Sequence, residues 1–185
     1  MSATVNLLHT GYVGGHVGST ISLIRDGDRL IVTDPGMVRD RGLILDPLRA
    51  LGVEPGDVTD VVFSHHHPDH TLNAALFLNA RFHDHWAIYE GDRWEDRDAE
   101  GFQVGPSVRL IRTPGHTPED ITTLAETEDG LVAFTHLWWD ANSAADPFAT
   151  DLTALHAGRE RVLEIAGLIV PGHGPAFKPS ADTPR

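Results

Sequence analysis

The stretch that most restricts the fold is VVFSHHHPDHT, residues 61–71, in which an apolar run ends in four histidines and an aspartate. The apolar start is typical of a strand that is covered on both faces. His65 and His67 alternate along this extended segment, so both side chains can point to the same side. Pro68 favours the end of the strand, and TLNAALFL, residues 71–78, predicts a helix after it. The stretch therefore predicts a buried strand that presents metal ligands at a sheet edge.

Other short apolar runs, separated by Gly, Pro and Asp, predict more strands and helices. STISLIRDGDRLIVTD predicts a hairpin with strands at about residues 20–25 and 29–33, followed by a helix over about residues 40–51. In the second half VRLIRT, ITTLAET and GLVAFT are strand-like, DLTALHAGRERVLEI predicts a helix capped by Asp151, and LIV predicts a last strand. Strands followed by a helix, twice over, predict an α/β fold in which two mixed sheets pack face to face with helices outside, a four-layer sandwich.

Length and composition indicate one domain over residues 1–185. The chain has 41% hydrophobic residues and no cysteine, and its apolar runs are too short to span a membrane. The N-terminus lacks the basic and apolar regions of a signal peptide, so we expect a cytoplasmic protein without membrane attachment. The net charge of −13 and the lack of a Lys/Arg cluster disfavour nucleic-acid binding. The partner that we expect is a small-molecule substrate.

Two further histidines follow predicted strands in similar settings. His116 lies in TPGHTP after VRLIRT, and His173 lies in VPGHGP after LIV. A lone HxH would indicate a histidine-rich surface loop, but three ligand-bearing segments at strand ends favour a metal site. Imidazoles with one carboxylate and no thiolate suit Zn²⁺, with Fe or Mn²⁺ as alternatives.

Taken together, these motifs resemble those of the metallo-β-lactamase superfamily. The resemblance rests on the HxHxDH run, TPGHT, PGHGP and IVTDPG of residues 31–36, and it spans nearly the whole chain. It implies an αβ/βα sandwich with a metal site at one edge. Carried over to this chain, it implies one ligand set of His65, His67 and His116 and another of Asp69, His70 and His173. Asp34 would orient a ligand histidine or the backbone through hydrogen bonds.

One position departs from that family. GLVAF runs into Thr135-His136, where the resemblance leads us to expect an aspartate that bridges two metals. A neutral imidazole can ligate one metal and adds no negative charge between two cations. We therefore expect one weakened site: a single metal, two metals bridged only by hydroxide, or a site that prefers Fe, Mn or Ni. Asp140 is a candidate substitute carboxylate, and His136 could instead only line the pocket.

The predicted reaction is hydrolysis by a metal-activated water, with Asp69 as the residue that orients the water and handles its proton. The substrate would be a small ester, thioester, lactone or phosphoester, and the cofactor one or two Zn²⁺ per chain. Two alternatives remain: a mononuclear iron oxidoreductase, dioxygenase-like, and a non-catalytic metal-binding domain.

Several residues near these motifs have weaker assignments. The Gly-rich segment GYVGGHVGS, residues 11–19, is predicted to be a loop near the pocket. Trp138 or Trp139 could wall the substrate pocket, or both could pack in the core or at a homodimer interface. His16, in the Gly-rich loop, could touch substrate or be a solvated loop residue. The remaining histidines are predicted to be structural or surface residues: His9, His66, His83, His85 and His156.

Overall fold

The computed structural model describes residues 2–185, which form two β-sheets flanked by helices. The first sheet has seven strands in the order of the chain. Their bounds are β1 Thr4–His9, β2 Ile21–Asp26, β3 Arg29–Thr33, β4 Asp60–Val62, β5 Arg81–His83, β6 Ala87–Glu90 and β7 Arg93–Asp96. The pairs β3–β4 and β4–β5 are parallel, and the other pairs are antiparallel. The predicted hairpin is β2–β3, while the charged stretch after residue 90 forms the outer strand β7.

The second sheet has five strands in the order β12-β11-β10-β9-β8. Their bounds are β8 Gln103–Gly105, β9 Val108–Arg112, β10 Ile121–Thr127, β11 Gly130–Thr135 and β12 Leu168–Pro171. Of the strand pairs described in this sheet, β11 and β12 alone are parallel. Both sheets are therefore mixed, as predicted.

Residues 2–185 form three α-helices: α1 Gly42–Ala50, α2 Pro68–Thr71 and α3 Leu152–Ile165. The predicted cap of α3 is confirmed, because the Asp151 carboxylate accepts a hydrogen bond from the backbone N–H of Ala154 at 2.9 Å. Short 3₁₀ turns lie at Pro55–Asp57 and Ala74–Leu76. None of the helices in the described residues is long and apolar enough to cross a membrane.

The helix predicted over residues 71–78 is wrong in extent, because α2 ends at Thr71. Asn73 explains the break. Its backbone N–H donates to the Pro35 carbonyl at 2.8 Å, and its side-chain amide donates to the Gly36 carbonyl at 2.6 Å. These bonds tie the chain to the segment after β3 and replace the helical hydrogen-bond ladder.

Three apolar clusters correspond to the three interfaces of a four-layer αβ/βα sandwich. Between the sheets lie Ile24, Ile31, Val62, Leu110 and Phe134. The strand neighbours of these residues point the other way, as the period of two requires: Leu23, Val32 and Val61 pack with Ile44 and Leu48 of α1, and Ile111 and Ala133 pack with Leu155 and Val162 of α3. The predicted fold is confirmed.

Strand direction explains where the polar motifs meet. Since β3 and β4 are parallel, as are β11 and β12, the segments after these strands emerge at one edge of each sheet. The two edges are joined by hydrogen bonds from Thr20 N–H to the Gly172 carbonyl at 2.8 Å and from Ile121 N–H to the Ser64 carbonyl at 2.9 Å. Both halves of the chain therefore contribute to one site.

Candidate metal centre

Three histidines converge in the first group of candidate ligands. His67 Nδ1 lies 3.0 Å from His65 Nε2 and 3.0 Å from His116 Nε2. His65 and His67 follow β4, and His116 follows β9. The structure thus brings together the three residues that the sequence assigned to one ligand set.

The second group lies beside the first. Asp69 Oδ2 is 3.5 Å from His70 Nε2 and 3.6 Å from His173 Nε2. The rings of His65 and His70 have centroids 4.3 Å apart, so the two groups adjoin. The structure thus also brings together the three residues that the family resemblance implies as the other ligand set.

His136 belongs to both groups. It lies with His65 and His116, and also with His70 and His173, in clusters whose ligand atoms are all within 4.8 Å of one another. A Cβ atom at Gly172 would come within 2.5 Å of His136 Cδ2, so the glycine leaves room for this ring. His136 therefore occupies the centre of the candidate site, where a shared ligand would be needed.

Hydrogen bonds on the outer side fix the ring orientations of three candidate ligands. The Nδ1 atoms of His70, His116 and His173 face Asp34 Oδ2 at 3.0 Å, Asp146 Oδ2 at 2.8 Å and the Gly18 carbonyl at 3.1 Å. Carboxylate and carbonyl oxygens only accept, so Nδ1 carries the proton and the inner Nε2 of each neutral ring carries a lone pair.

The inner nitrogen lone pairs of the cluster converge in a way that fits a metal ion. Several inner nitrogen lone pairs face one another at about hydrogen-bond distance, and in the described residues His70 Nε2 and His136 Nδ1 are buried without a hydrogen-bond partner. A cation is the group that satisfies converging lone pairs. The donor set of imidazoles and one carboxylate fits a divalent transition metal.

Burial and neighbouring charges shift the pKa values of several rings in the cluster. Burial, and then the neighbouring histidines, lower the pKa of His65 and His136 well below the ordinary value. For His116, the hydrogen bond and charge of Asp146 outweigh burial, and its pKa is raised. Neutral imidazoles are the metal-binding form, so protons compete weakly for His65 and His136.

Asp34 supports the site from a constrained backbone position. Its φ of 47° lies in the left-handed region, which Asp tolerates better than most residues. From there Oδ1 accepts from the Ser64 backbone N–H at 2.6 Å, while Oδ2 faces His70. The predicted orienting role therefore agrees with the geometry. Gly36 is also required locally, because a Cβ there would lie 1.5 Å from the Asp69 carbonyl oxygen.

A cavity of about 430 Å³ opens onto the cluster. His67, Asp69 and His173 line one side, and Trp139 and Phe148 stack on another with ring centroids 5.7 Å apart. Trp139 is thus the tryptophan that walls the pocket, whereas Trp138 is fully buried in the core.

Other polar residues of these motifs lie outside the cluster. His66 turns away to Asp84 Oδ2 at 3.0 Å, and His83 is buried against Asp60 Oδ1 at 2.8 Å. The Asp140 carboxylate accepts from the backbone N–H of Asn142 at 2.7 Å and belongs to its own turn. It is not in either histidine cluster.

Sequence reasoning missed the partners on the outer side of the ligands. Asp146 lies thirty residues beyond His116 in an irregular loop, and Gly18 contributes only a backbone carbonyl. Neither belongs to a motif with a fixed spacing. Asp146 in ADPF could have been selected as a buried carboxylate only once the loop was known to return to His116.

Comparison with known proteins is consistent with this site. Residues 14–175 match the family model described as the metallo-beta-lactamase superfamily. Metallo-beta-lactamase domain-containing protein 1 of Xenopus laevis is 29% identical over 190 residues, which cover 95% of this chain and 81% of that protein. An N-acyl homoserine lactonase of a Bacillus species is 32% identical over 99 residues, covering 46% of this chain and 40% of the enzyme. A structure of a metallo-beta-lactamase-like protein from Thermotoga maritima aligns with a TM-score of 0.77 at 24% identity, over 97% of this chain and 100% of that one.

Proposed function

Since this chain belongs to the metallo-beta-lactamase superfamily, we propose that it hydrolyses a small uncharged ester group, as in a lactone, an ester or a thioester, with Zn²⁺ as its metal. The superfamily supports a metal-dependent hydrolase at the level of the family. The observation that carries the proposal is the convergence of inner imidazole nitrogens and the Asp69 carboxylate at the floor of one cavity.

The proposed ligands are the seven residues of the two groups. His65, His67 and His116 would hold one position, and Asp69, His70 and His173 the other, with His136 between them. A bound divalent metal supplies water that is acidic enough to ionise near neutral pH and a Lewis acid that polarises the substrate carbonyl.

Asp69 is the proposed catalytic residue. It lines the cavity, and its Oδ2 lies 3.5 Å from His70 Nε2, so one oxygen can remain with the ligand set while the other faces substrate. In that position the carboxylate orients the attacking water, accepts its proton and returns it to the leaving oxygen or sulfur. General-base assistance of this kind contributes about 10²–10⁴-fold in rate.

Apart from the bound metal, the cavity walls formed by the described residues offer no cation to a phosphoester, so they favour an uncharged reacting group. Among the described residues that line it there is no Arg or Lys to match a phosphate charge. The Thr117 hydroxyl already donates to Asp120 at 2.6 Å, and the Thr150 hydroxyl to the Gly115 carbonyl at 3.3 Å. Trp139 and Phe148 present apolar faces that exclude water from the reacting carbonyl. The partial match to a lactonase supports the same class.

The test is hydrolysis by zinc-loaded protein of a panel that holds a γ-lactone, p-nitrophenyl acetate, a short acyl thioester and bis-p-nitrophenyl phosphate. We expect turnover of the carbonyl substrates and little of the phosphodiester. Asp69→Asn should lower kcat by at least about a hundredfold, and His116→Ala should lose metal.

Two results would contradict the proposal. Metal retention without turnover of any substrate would favour a non-catalytic metal-binding domain. Iron in the purified protein, with oxygen consumption instead of ester hydrolysis, would favour the oxidoreductase alternative. His66→Ala is the matched control, because the exposed ring of His66 points away from the cluster to Asp84.

A further inference from the structure

A second, larger cavity of about 880 Å³ adjoins the metal cavity. Val13 and Val17 line both, so the two spaces are neighbours across the loop of residues 13–17. We call this second cavity the groove. Its lining is largely apolar and includes Met37, Val38 and Leu72. Val13 and Leu72 are 45% and 62% exposed, so apolar surface is available here to a bound chain.

Arg39 is the cation that borders this groove. Of the thirteen arginines, the other twelve form hydrogen bonds or ion pairs with protein groups, for example Arg81 with Asp60 and Arg161 with Glu100. Arg39 forms neither among residues 2–185, and its side chain is exposed. The neighbouring Asp40 carboxylate accepts from the Gly42 backbone N–H at 2.8 Å instead.

The charge of Arg39 acts inside the groove. His9 lines the same cavity, and burial, followed by the positive charge of Arg39, lowers its pKa. The chain as a whole carries a net charge of −13, which repels anions. A guanidinium without an ion-pair partner beside an apolar groove therefore attracts an anion locally. Its planar geometry matches that of a carboxylate.

We propose that the groove binds an apolar chain of the substrate whose far end carries a carboxylate, and that Arg39 pairs with this carboxylate. The inference rests on the proposed function, because it places the ester carbonyl of the same molecule in the metal cavity. Arg39 is then a specificity-determining residue, and the substrate class narrows to esters, thioesters or lactones of anionic amphiphiles.

The first experiment compares two p-nitrophenyl esters on the zinc-loaded protein. One is the monoester of suberic acid, which keeps a free carboxylate, and the other is p-nitrophenyl octanoate. We expect kcat/KM to favour the suberate ester by about tenfold, the effect of one charged hydrogen-bonded contact. Arg39→Gln should abolish the preference.

Lys178→Gln is the matched control, because it removes one positive charge at the only lysine, which lines a different cavity. This control should keep the preference. Equal kcat/KM for the two esters in the wild type, or a preference that survives in Arg39→Gln, would overturn the proposal.

A binding experiment separates this proposal from the proposed function. Calorimetry measures Kd for adipate, suberate and sebacate against the monocarboxylates of equal length. We expect at least one dicarboxylate to bind about tenfold more tightly, with the difference lost in Arg39→Gln and kept in Lys178→Gln. If no ester is hydrolysed but this pattern holds, the reaction is wrong and the groove assignment stands. If esters are hydrolysed but no dicarboxylate is preferred, the groove assignment is wrong.

Discussion

The Nε2 atoms of His136 and His173 lie 3.0 Å apart, and the His136 side chain is almost fully buried. The central position of the candidate metal centre is therefore held by a neutral ring with its own nitrogens directed at both groups of ligands. Two dications in such a site repel one another without a carboxylate between them to reduce the repulsion.

The first prediction concerns the metal content. His136→Asp places a negative charge between the two groups, and we expect it to raise the zinc content toward two ions per chain, above the wild-type value. Elemental analysis after equilibrium dialysis against zinc measures this. Two ions bound equally tightly in both proteins would show that His136 does not weaken a site.

The second prediction concerns Asp146. Its carboxylate is buried and accepts from His116 Nδ1 at 2.8 Å, which holds the ring so that Nε2 faces inward. Asp146→Asn should lower zinc affinity by about 10–100-fold, measured by competition with a chelating dye. Asp140→Asn, in the same loop but bonded within its own turn, should leave the affinity unchanged. Equal losses in both variants would mean that the loop as a whole, rather than the Asp146 contact, is responsible.

The third prediction concerns pH and the stability of metal-free protein. Burial and neighbouring histidines lower the pKa of His65 and His136 below the ordinary value of 6.5. The unfolded chain therefore takes up protons that the folded state resists, so the free energy of unfolding falls as pH falls below about 7. Each residue contributes on the order of 1 kcal/mol of this loss at pH 6.0.

Urea unfolding between pH 7.5 and 6.0 measures the effect. Burial raises the pKa of Asp120 to about 6, and carboxylate partners raise the pKa of His66 and His116 against the effect of burial, so these three groups act in the opposite direction in the same window. The comparison with His136→Gln therefore isolates the contribution of one buried histidine. His136→Gln should make the loss smaller. His156→Gln, exposed on α3, should not change it. A wild-type stability that rises toward pH 6.0 would contradict the prediction.

The fourth prediction concerns Arg159, which is fully buried in α3. Its guanidinium donates to the carbonyls of Leu137 at 2.8 Å, Ala144 at 3.0 Å and Ser143 at 3.1 Å, so it fastens the loop that carries Asp146. Arg159→Met leaves these acceptors unpaired and should cost about 2–4 kcal/mol. Arg161→Met, on the same helix, loses an exposed pair with Glu100 and an exposed hydrogen bond to the Arg112 carbonyl at 3.3 Å, and should cost under about 1 kcal/mol. Thermal and urea unfolding of the two variants give the comparison.

Several candidate ligands could be found from sequence because they lie in segments that follow strands with a clear apolar pattern, and the family resemblance supplied the two ligand sets. The structure brings His65, His116 and His173 to one edge, because β4 and β12 each pair in parallel with a neighbour. The strand before His116, β9, runs in the same direction as β11, since both are antiparallel to β10. The layered fold followed from the same period-two pattern, in which Val61 and Val62 face opposite sides.

The structural features that could not be predicted from the sequence depend on contacts between distant segments. The extent of the helix after β4 was predicted wrongly because Asn73 bonds to the segment after β3. Local helix propensity carries no information on such a contact. Asp146 reaches His116 from an irregular loop, and Arg159 bonds to backbone carbonyls of the same loop. Neither contact follows a pattern of side chains in the sequence. That Arg39 forms no hydrogen bond or ion pair among residues 2–185 is visible only in the folded structure.

The origin of the candidate ligands in both sheets has a consequence for folding. His70 lies in α2, after β4, and His173 follows β12, roughly a hundred residues apart in the chain. An ion held by both would act as a reversible cross-link that closes a long loop and reduces the conformational freedom of the denatured chain. Metal availability and protein lifetime are then coupled, because apoprotein would unfold more readily and be degraded sooner than the loaded form.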